Sequence, residues 1–318
     1  MRKRLYGLIL SALMIFSVTG CSNEPKVSTE KVKGEVVSQE DIDPNGGADG
    51  VAGAYDHADS KYFVNPDFYN MKSDNQVTII SNFKTSQQTS EWSCGANAAL
   101  VTLNHFDITD YTEWDIAVGM KAHTDEDVEG AVPGSANSWY EPGVNLKKMV
   151  TFLETVPGIK IVDTNYKSEY TEEDLVSQGD VDTLVYSPSM LGNFHKYFDS
   201  ASLYSSDNDA NTENWVSDAK DTYFVKWLTG HLKENRPIMV HTSEWNGHWA
   251  TIIGYDNMGT ETIGDDMLIL ADSYDTGDHW QDGYVVRPLE KFFYEWDDLN
   301  IASKPYQLQP FVVVDTVK

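Results

Sequence analysis

The pattern of apolar and polar positions divides the chain into three stretches. Positions 5–20 form one uncharged, mostly apolar run behind Arg2, Lys3 and Arg4. Residues 22 to about 75 are rich in Ser, Lys, Glu, Asp and Gly and lack hydrophobic periodicity, which predicts a flexible spacer. From about residue 76 the composition becomes globular, and residues 76–80 predict a short strand. Ala96, Ala99, Leu100 and Leu103 fall at helical spacing, predicting a helix from an N-cap at Ser93 through Phe106. Leu146, Met149, Val150 and Leu153 repeat that period until Pro157-Gly158 stops a second helix. Residues 160–220 carry the weakest periodicity of the globular part and read as an insertion. A helix over 223–232 follows, then β-like runs at 238–242, 248–255, 267–271, 283–286 and 311–314. Helices first and strands second predict one α+β domain over 76–318, long enough for a substantial core.

The N-terminal run is too short to cross a bilayer, which takes about 20 mostly apolar residues. With its basic start and small residues before Cys21 it has the layout of a secretory signal over 1–20. The junction Val18-Thr19-Gly20-Cys21 resembles the lipobox of bacterial lipoproteins, with valine where leucine is more usual. That resemblance implies lipidation of Cys21 by more than one chain, since a single chain binds only marginally, and a product tethered to the outer face of the cell membrane. The formal charge of -27 excludes a nucleic-acid partner, which requires clustered Lys and Arg, and suits solubility at a crowded anionic surface.

Asp41, Asp43, Asn45 and Gly46 are spaced like the start of an EF-hand loop, but the twelfth position is Ala52 and Pro44 lies inside, so no calcium site is expected. The run Asp207, Asp209, Asn211 and Glu213 lacks the glycine and reads as a solvated loop. Asp265-Asp266 reads as a turn, and no Cys or His spacing suits zinc, so neither metal nor cofactor is expected.

With Cys21 lipidated, Cys94 is a lone thiol in an exported chain, at the predicted start of a helix. A thiol attacks as thiolate, and a helix N-terminus plus an imidazolium supplies the environment that favours it. His248, after the Asn246-Gly247 turn, is the proposed base. Alternation places His248, Ala250, Ile252 and Gly254 on one face, expected to lie against the nucleophile helix. Asp272 ends the next predicted strand and would orient the imidazole. Gln88, six residues before Cys94, would join the Cys94 backbone N–H in an oxyanion hole, with Gln87 as the alternative one residue away. His241 is the rival base, and His195, His231 and His279 read as structural or surface residues. Trp92, Trp245 and Trp249 either wall a cleft or cap the core.

Gln88 followed by Ser93-Cys94-Gly95-Ala96, then Gly247-His248-Trp249-Ala250 leading to Gly254-Tyr255-Asp256, then Ala271-Asp272, resembles the papain-like cysteine peptidases. The closest branch holds the bacteriocin-leader processing peptidases and their stand-alone relatives. The resemblance implies a papain-like fold, with a helical N-terminal half whose nucleophile helix packs on a C-terminal antiparallel sheet. It also implies hydrolysis of a peptide or protein substrate by Cys94, His248, Asp272 and Gln88 without a cofactor. Ala96-Asn97 replaces the relatives' usual proline and alanine, and the long interval from Cys94 to His248 accommodates the insertion. No ATP-binding or membrane-spanning transporter module follows, so an exporter-linked form is not expected. The alternatives are a transglutaminase-type acyl transferase, which shares this chemistry, and a catalytically silent papain-fold binding lipoprotein.

Overall fold

The computed structural model describes residues 66–89, 92–122, 143–168, 197–209, 211, 213–275, 282–297 and 308–317. Cys21, the signal, the EF-hand-like stretch, His195, His279 and about half of the expected insertion lie outside the described residues.

Strand β1 (Val77–Ile79) precedes helices α1 (Cys94–His105), α2 (Glu113–Gly119) and α3 (Leu146–Leu153), and β2 (Ile159–Thr164) follows them. Helix α4 (Tyr223–Lys233) leads into β3 (Ile238–Thr242), β4 (His248–Asp256), β5 (Met267–Ala271) and β6 (Tyr284–Pro288), and α5 (Leu289–Glu295) and β7 (Phe311–Thr316) close the chain. Among the described residues the strands form one seven-stranded sheet in the order β2-β7-β3-β4-β5-β6, with β1 on β4. Every pairing is antiparallel. Strand β4 is long enough to hold two partners along one edge. Its first half pairs with β3, from Thr242↔His248 to Ile238↔Ile252, and its last residues pair with β1, from Ile79↔Gly254 to Val77↔Asp256. The architecture is α+β.

Strand alternation separates two layers. Met239, Trp249, Val312 and Val314 pack with Ala96, Ala99, Leu100 and Leu103 of α1 and with α2 and α3. Ile238, Val240, Ala250, Ile252, Phe311 and Val313 point the other way, into a core with Phe224 and Leu228 of α4 and Leu289 and Phe292 of α5. This corrects one expectation: Ala250 and Ile252 back onto α4 and α5, and Trp249 is the residue that meets α1. Its indole Nε1–H donates to the Val144 carbonyl at 2.6 Å, which satisfies the one polar atom of a fully buried ring.

Three elements were not expected. Helix α2 starts in a capping box, with Thr112 and Asp115 bonding each other's backbone N–H. Residues 159–164 are an edge strand on β7, so the expected insertion does not begin at 160. Helix α5 sets Leu289, Phe292 and Phe293 into the core behind Pro288. The expected spacer is also shorter than drawn, because Phe68 is buried against the Tyr284 ring, 5.7 Å between centroids.

The contact between α1 and the sheet rests on a missing side chain. A Cβ on Gly95 would lie 2.6 Å from Val144 Cβ and 3.0 Å from the Trp249 ring. Gly95→Ala should therefore lower stability by about 1–3 kcal/mol through overpacking, read as a reduced urea midpoint with an unchanged slope.

Candidate active site

Cys94 is the first residue of α1, buried and without a disulfide partner. Ser93 occupies the N-cap position but makes no side-chain capping bond; its hydroxyl instead bonds to Glu113. The thiol thus meets the positive end of the helix with its neighbour's side chain held elsewhere.

His248 opens β4 and Asp272 follows the last residue of the adjacent β5, so the antiparallel pairing carries both side chains to the same end of the sheet. His248 Nε2 lies 2.6 Å from Asp272 Oδ1, with both residues buried. The ring also hydrogen-bonds the Cys94 thiol, and because Nε2 is taken by Asp272 this contact falls to Nδ1. Burial works against a charged imidazole here, but the Asp272 carboxylate and the Cys94 contact outweigh it and raise the His248 pKa to about 10. Burial likewise works against the Asp272 anion, and His248 and Arg287 overcome it, holding the carboxyl below its usual range. Asp272 Oδ1 further accepts the Tyr274 backbone N–H at 3.0 Å, and Oδ2 accepts Arg287 Nη2 at 3.2 Å. Arg287 Nη1 reaches on to Glu244, which ties the carboxylate to the turn ahead of β4. Nothing in the sequence marks Arg287, a single basic residue in a strand opposite Leu268.

Gln88 is fully buried beside this pair. Ser273 Oγ donates to its side-chain oxygen at 2.8 Å, and its backbone N–H donates to the Ser273 carbonyl at 3.0 Å. The amide is thereby fixed through its oxygen. The backbone carbonyl of Gln87 accepts from Asn97 Nδ2 at 3.2 Å.

A second carboxylate organises the segment around Cys94 and escaped sequence reasoning. Glu113, buried at the start of α2, accepts the Thr89 backbone N–H at 3.1 Å, the Thr89 hydroxyl at 2.5 Å and Asn97 Nδ2 at 2.8 Å, besides Ser93. These donors lie on both sides of Cys94 in sequence, so one side chain fixes the loop before α1 to the first turn within it. Burial raises the Glu113 pKa, and the bonds from Thr89, Asn97 and Ser93 oppose that rise.

His241 does not join Asp272 in this arrangement: it stacks on Trp249 with 4.8 Å between ring centroids. His231 Nε2 lies 3.2 Å from Asp163 Oδ2. Trp249 is core, whereas Trp245 is 55% exposed and sets its ring 5.1 Å from that of His248. Among the described residues no group of three His, Cys, Asp or Glu could hold a metal, and no helix is long and apolar enough to cross a membrane.

No family model matches the chain, and no curated protein matches it. Among solved structures it is similar to a Bacillus anthracis protein described as a candidate C39-like peptidase, at 13% identity and a TM-score of 0.38, over 77% of this chain and 98% of that one.

Two outcomes follow from the geometry. Glu113→Gln keeps the size but points an amide NH₂ at donors, and should cost about 2 kcal/mol in chemical unfolding. His248 binds its proton more tightly in the folded state than at the ordinary value of 6.5, so its contribution to stability is full below 6.5 and is lost as pH rises toward about 10. The wild-type Tm should accordingly fall more steeply than that of His248→Ala between pH 7 and 10.

Proposed function

We propose that this protein is a papain-like cysteine peptidase, tethered to the outer face of the cell membrane through lipidated Cys21, that hydrolyses peptide bonds through a thioester on Cys94. The supporting observation is the relay itself: a thiol at a helix N-terminus bonded to an imidazole whose far nitrogen is held by a buried carboxylate. In this reading His248 takes the Cys94 proton, and the sulfur attacks the substrate carbonyl carbon. The resulting oxyanion accepts hydrogen bonds from the Cys94 backbone N–H and the Gln88 side-chain amide. The imidazolium returns its proton to the departing amide nitrogen, the C–N bond breaks, and an amine leaves. Water then attacks the thioester while His248 Nδ1 takes its proton, and cleavage of the C–S bond frees the acid and restores the thiol. Asp272 keeps the imidazole oriented and stabilises its charged form, and Arg287 keeps Asp272 ionised.

The test is digestion of a mixed peptide pool, read by mass spectrometry, with and without excess primary amine. The reading predicts new free carboxyl termini without amine. Cys94→Ala and His248→Ala should lower kcat/KM by about 10³-fold or more, and Asp272→Asn by at least about tenfold. Amine incorporation with no net hydrolysis would instead identify an acyl transferase. The tether is tested by fractionation, in which Cys21→Ser should move the protein from membranes to the soluble fraction.

A further inference from the structure

Behind the His248–Asp272 pair, on the side of the sheet that carries α5, lies a cleft of about 310 Å³. An apolar cavity of about 150 Å³ holds benzene, so this one has room for a large side chain and part of the main chain that bears it. The charged groups of its lining are paired with one another. Arg287 bonds Glu244 and Asp272 through its terminal nitrogens, and Asp272 holds His248. Lys291 and Glu295 stand in water, 67% exposed each, and meet at 3.8 Å across one helical turn.

What the cleft presents to a ligand is therefore apolar. Trp245, Tyr274, Val286 and Phe292 line it, and Trp245 and Val286 are 55% and 42% exposed. The Trp245 ring is held in place edge to face, 4.7 Å from the Tyr274 ring and 5.1 Å from that of His248. Its backbone is left-handed, φ 47° and ψ 38°, a conformation that a bulky residue rarely adopts and that the surrounding structure must impose. The turn ahead of β4 thus sets an open indole face against the imidazole.

The position of that indole says which part of a substrate it meets. His248 gives its proton to the departing amine, so the departing half lies on the His248 side of Cys94, whereas the acyl carbonyl is held by the Cys94 backbone N–H and Gln88. Trp245 and Tyr274 flank His248 and Asp272 in sequence and touch that pair in space.

We propose that this cleft is the subsite for a bulky apolar side chain, aromatic or long aliphatic, in the departing half of a polypeptide substrate, and that Trp245 determines the preference. Naming the bound segment as substrate rests on the peptidase reading; capture of an apolar side chain by the cleft does not.

The experiment is calorimetric titration of the full-length chain carrying Cys94→Ala with blocked alanine pentapeptides whose central residue is phenylalanine, alanine, lysine or glutamate. The phenylalanine peptide should bind at least about tenfold more tightly than the other three, as burial of a large apolar side chain allows. Trp245→Ala should erase that difference, and Trp245→Phe should keep most of it. Should Trp245→Ala fail to fold, Val286→Lys carries the test, since it places a charge in the lining at an exposed position and should weaken the phenylalanine peptide about tenfold. Equal affinity for phenylalanine and alanine, tighter binding of lysine or glutamate, no binding of the phenylalanine peptide, or a preference that survives these substitutions would overturn the assignment. The same peptides offered to the chain with Cys94 intact should be cut on the amino-terminal side of phenylalanine, which then leaves with the amine; cleavage on its carboxyl side would overturn the placement in the departing half. Phenylalanine-selective binding without cleavage defeats the peptidase and leaves the apolar site, and cleavage without phenylalanine preference defeats the site and leaves the peptidase.

Discussion

The hydrogen bond between His248 and Asp272 is the interaction on which the rest of the site depends. A carboxylate and an imidazole are both buried at the end of the sheet, where neither would keep its charge alone, and each shifts the other toward the ionised form. The sheet makes the pairing possible: β4 and β5 are adjacent and antiparallel, so the residue that begins one strand faces the residue that follows the other. Arg287 and the Tyr274 backbone N–H also bond Asp272, which keeps a buried anion matched on several sides. Breaking either partner would leave the other as an unpaired buried group, so the pair is held by cost as much as by attraction.

Cys94 reaches this pair by separate means. Gly95 lets α1 approach Trp249 and Val144 closely enough to place Cys94 against the imidazole. Glu113 then fixes the loop before the helix through Thr89 and Ser93, and the helix itself through Asn97. Gln88 enters through Ser273, the neighbour of Asp272, so the loop before α1 and the end of β5 are bonded directly. Cys94 and His248 are thus positioned by different elements, held together by the packing of α1 on Trp249 and by the polar contacts of Gln88 with Ser273.

Much of this was legible in the sequence. Strands β3 and β5 fall where alternation placed them, as do the cores of α1, α3 and α4, because each carries a full apolar stripe or run. Cys94, His248, Asp272 and Gln88 were singled out by their settings, and the fold brings them into one neighbourhood. Helix α2 was missed because its seven residues hold only Ile116 and Ala117 as buried apolar positions; its signal was the Thr112 to Asp115 capping box. Strand β2 was missed because an edge strand, buried fully only at Ile159, shows weak alternation. Helix α5 did carry the Leu289, Phe292 and Phe293 spacing, hidden behind Pro288 at the end of a strand. Glu113 and Arg287 had no local signature, since their roles come from contacts across the fold, such as Thr89 and Glu113 or Asp272 and Arg287. The face of β4 was assigned wrongly because period two fixes which residues share a face, not which layer that face meets.

The most direct test of the central claim, that Cys94 works as a nucleophile because His248 and Asp272 activate it, is its alkylation rate by iodoacetamide, read by intact mass in the chain with Cys21→Ser. The account predicts fast labelling at neutral pH that falls by an order of magnitude or more in His248→Ala and partly in Asp272→Asn. Labelling that is slow, and equal in all of these proteins, would contradict it and mark Cys94 as a buried packing residue.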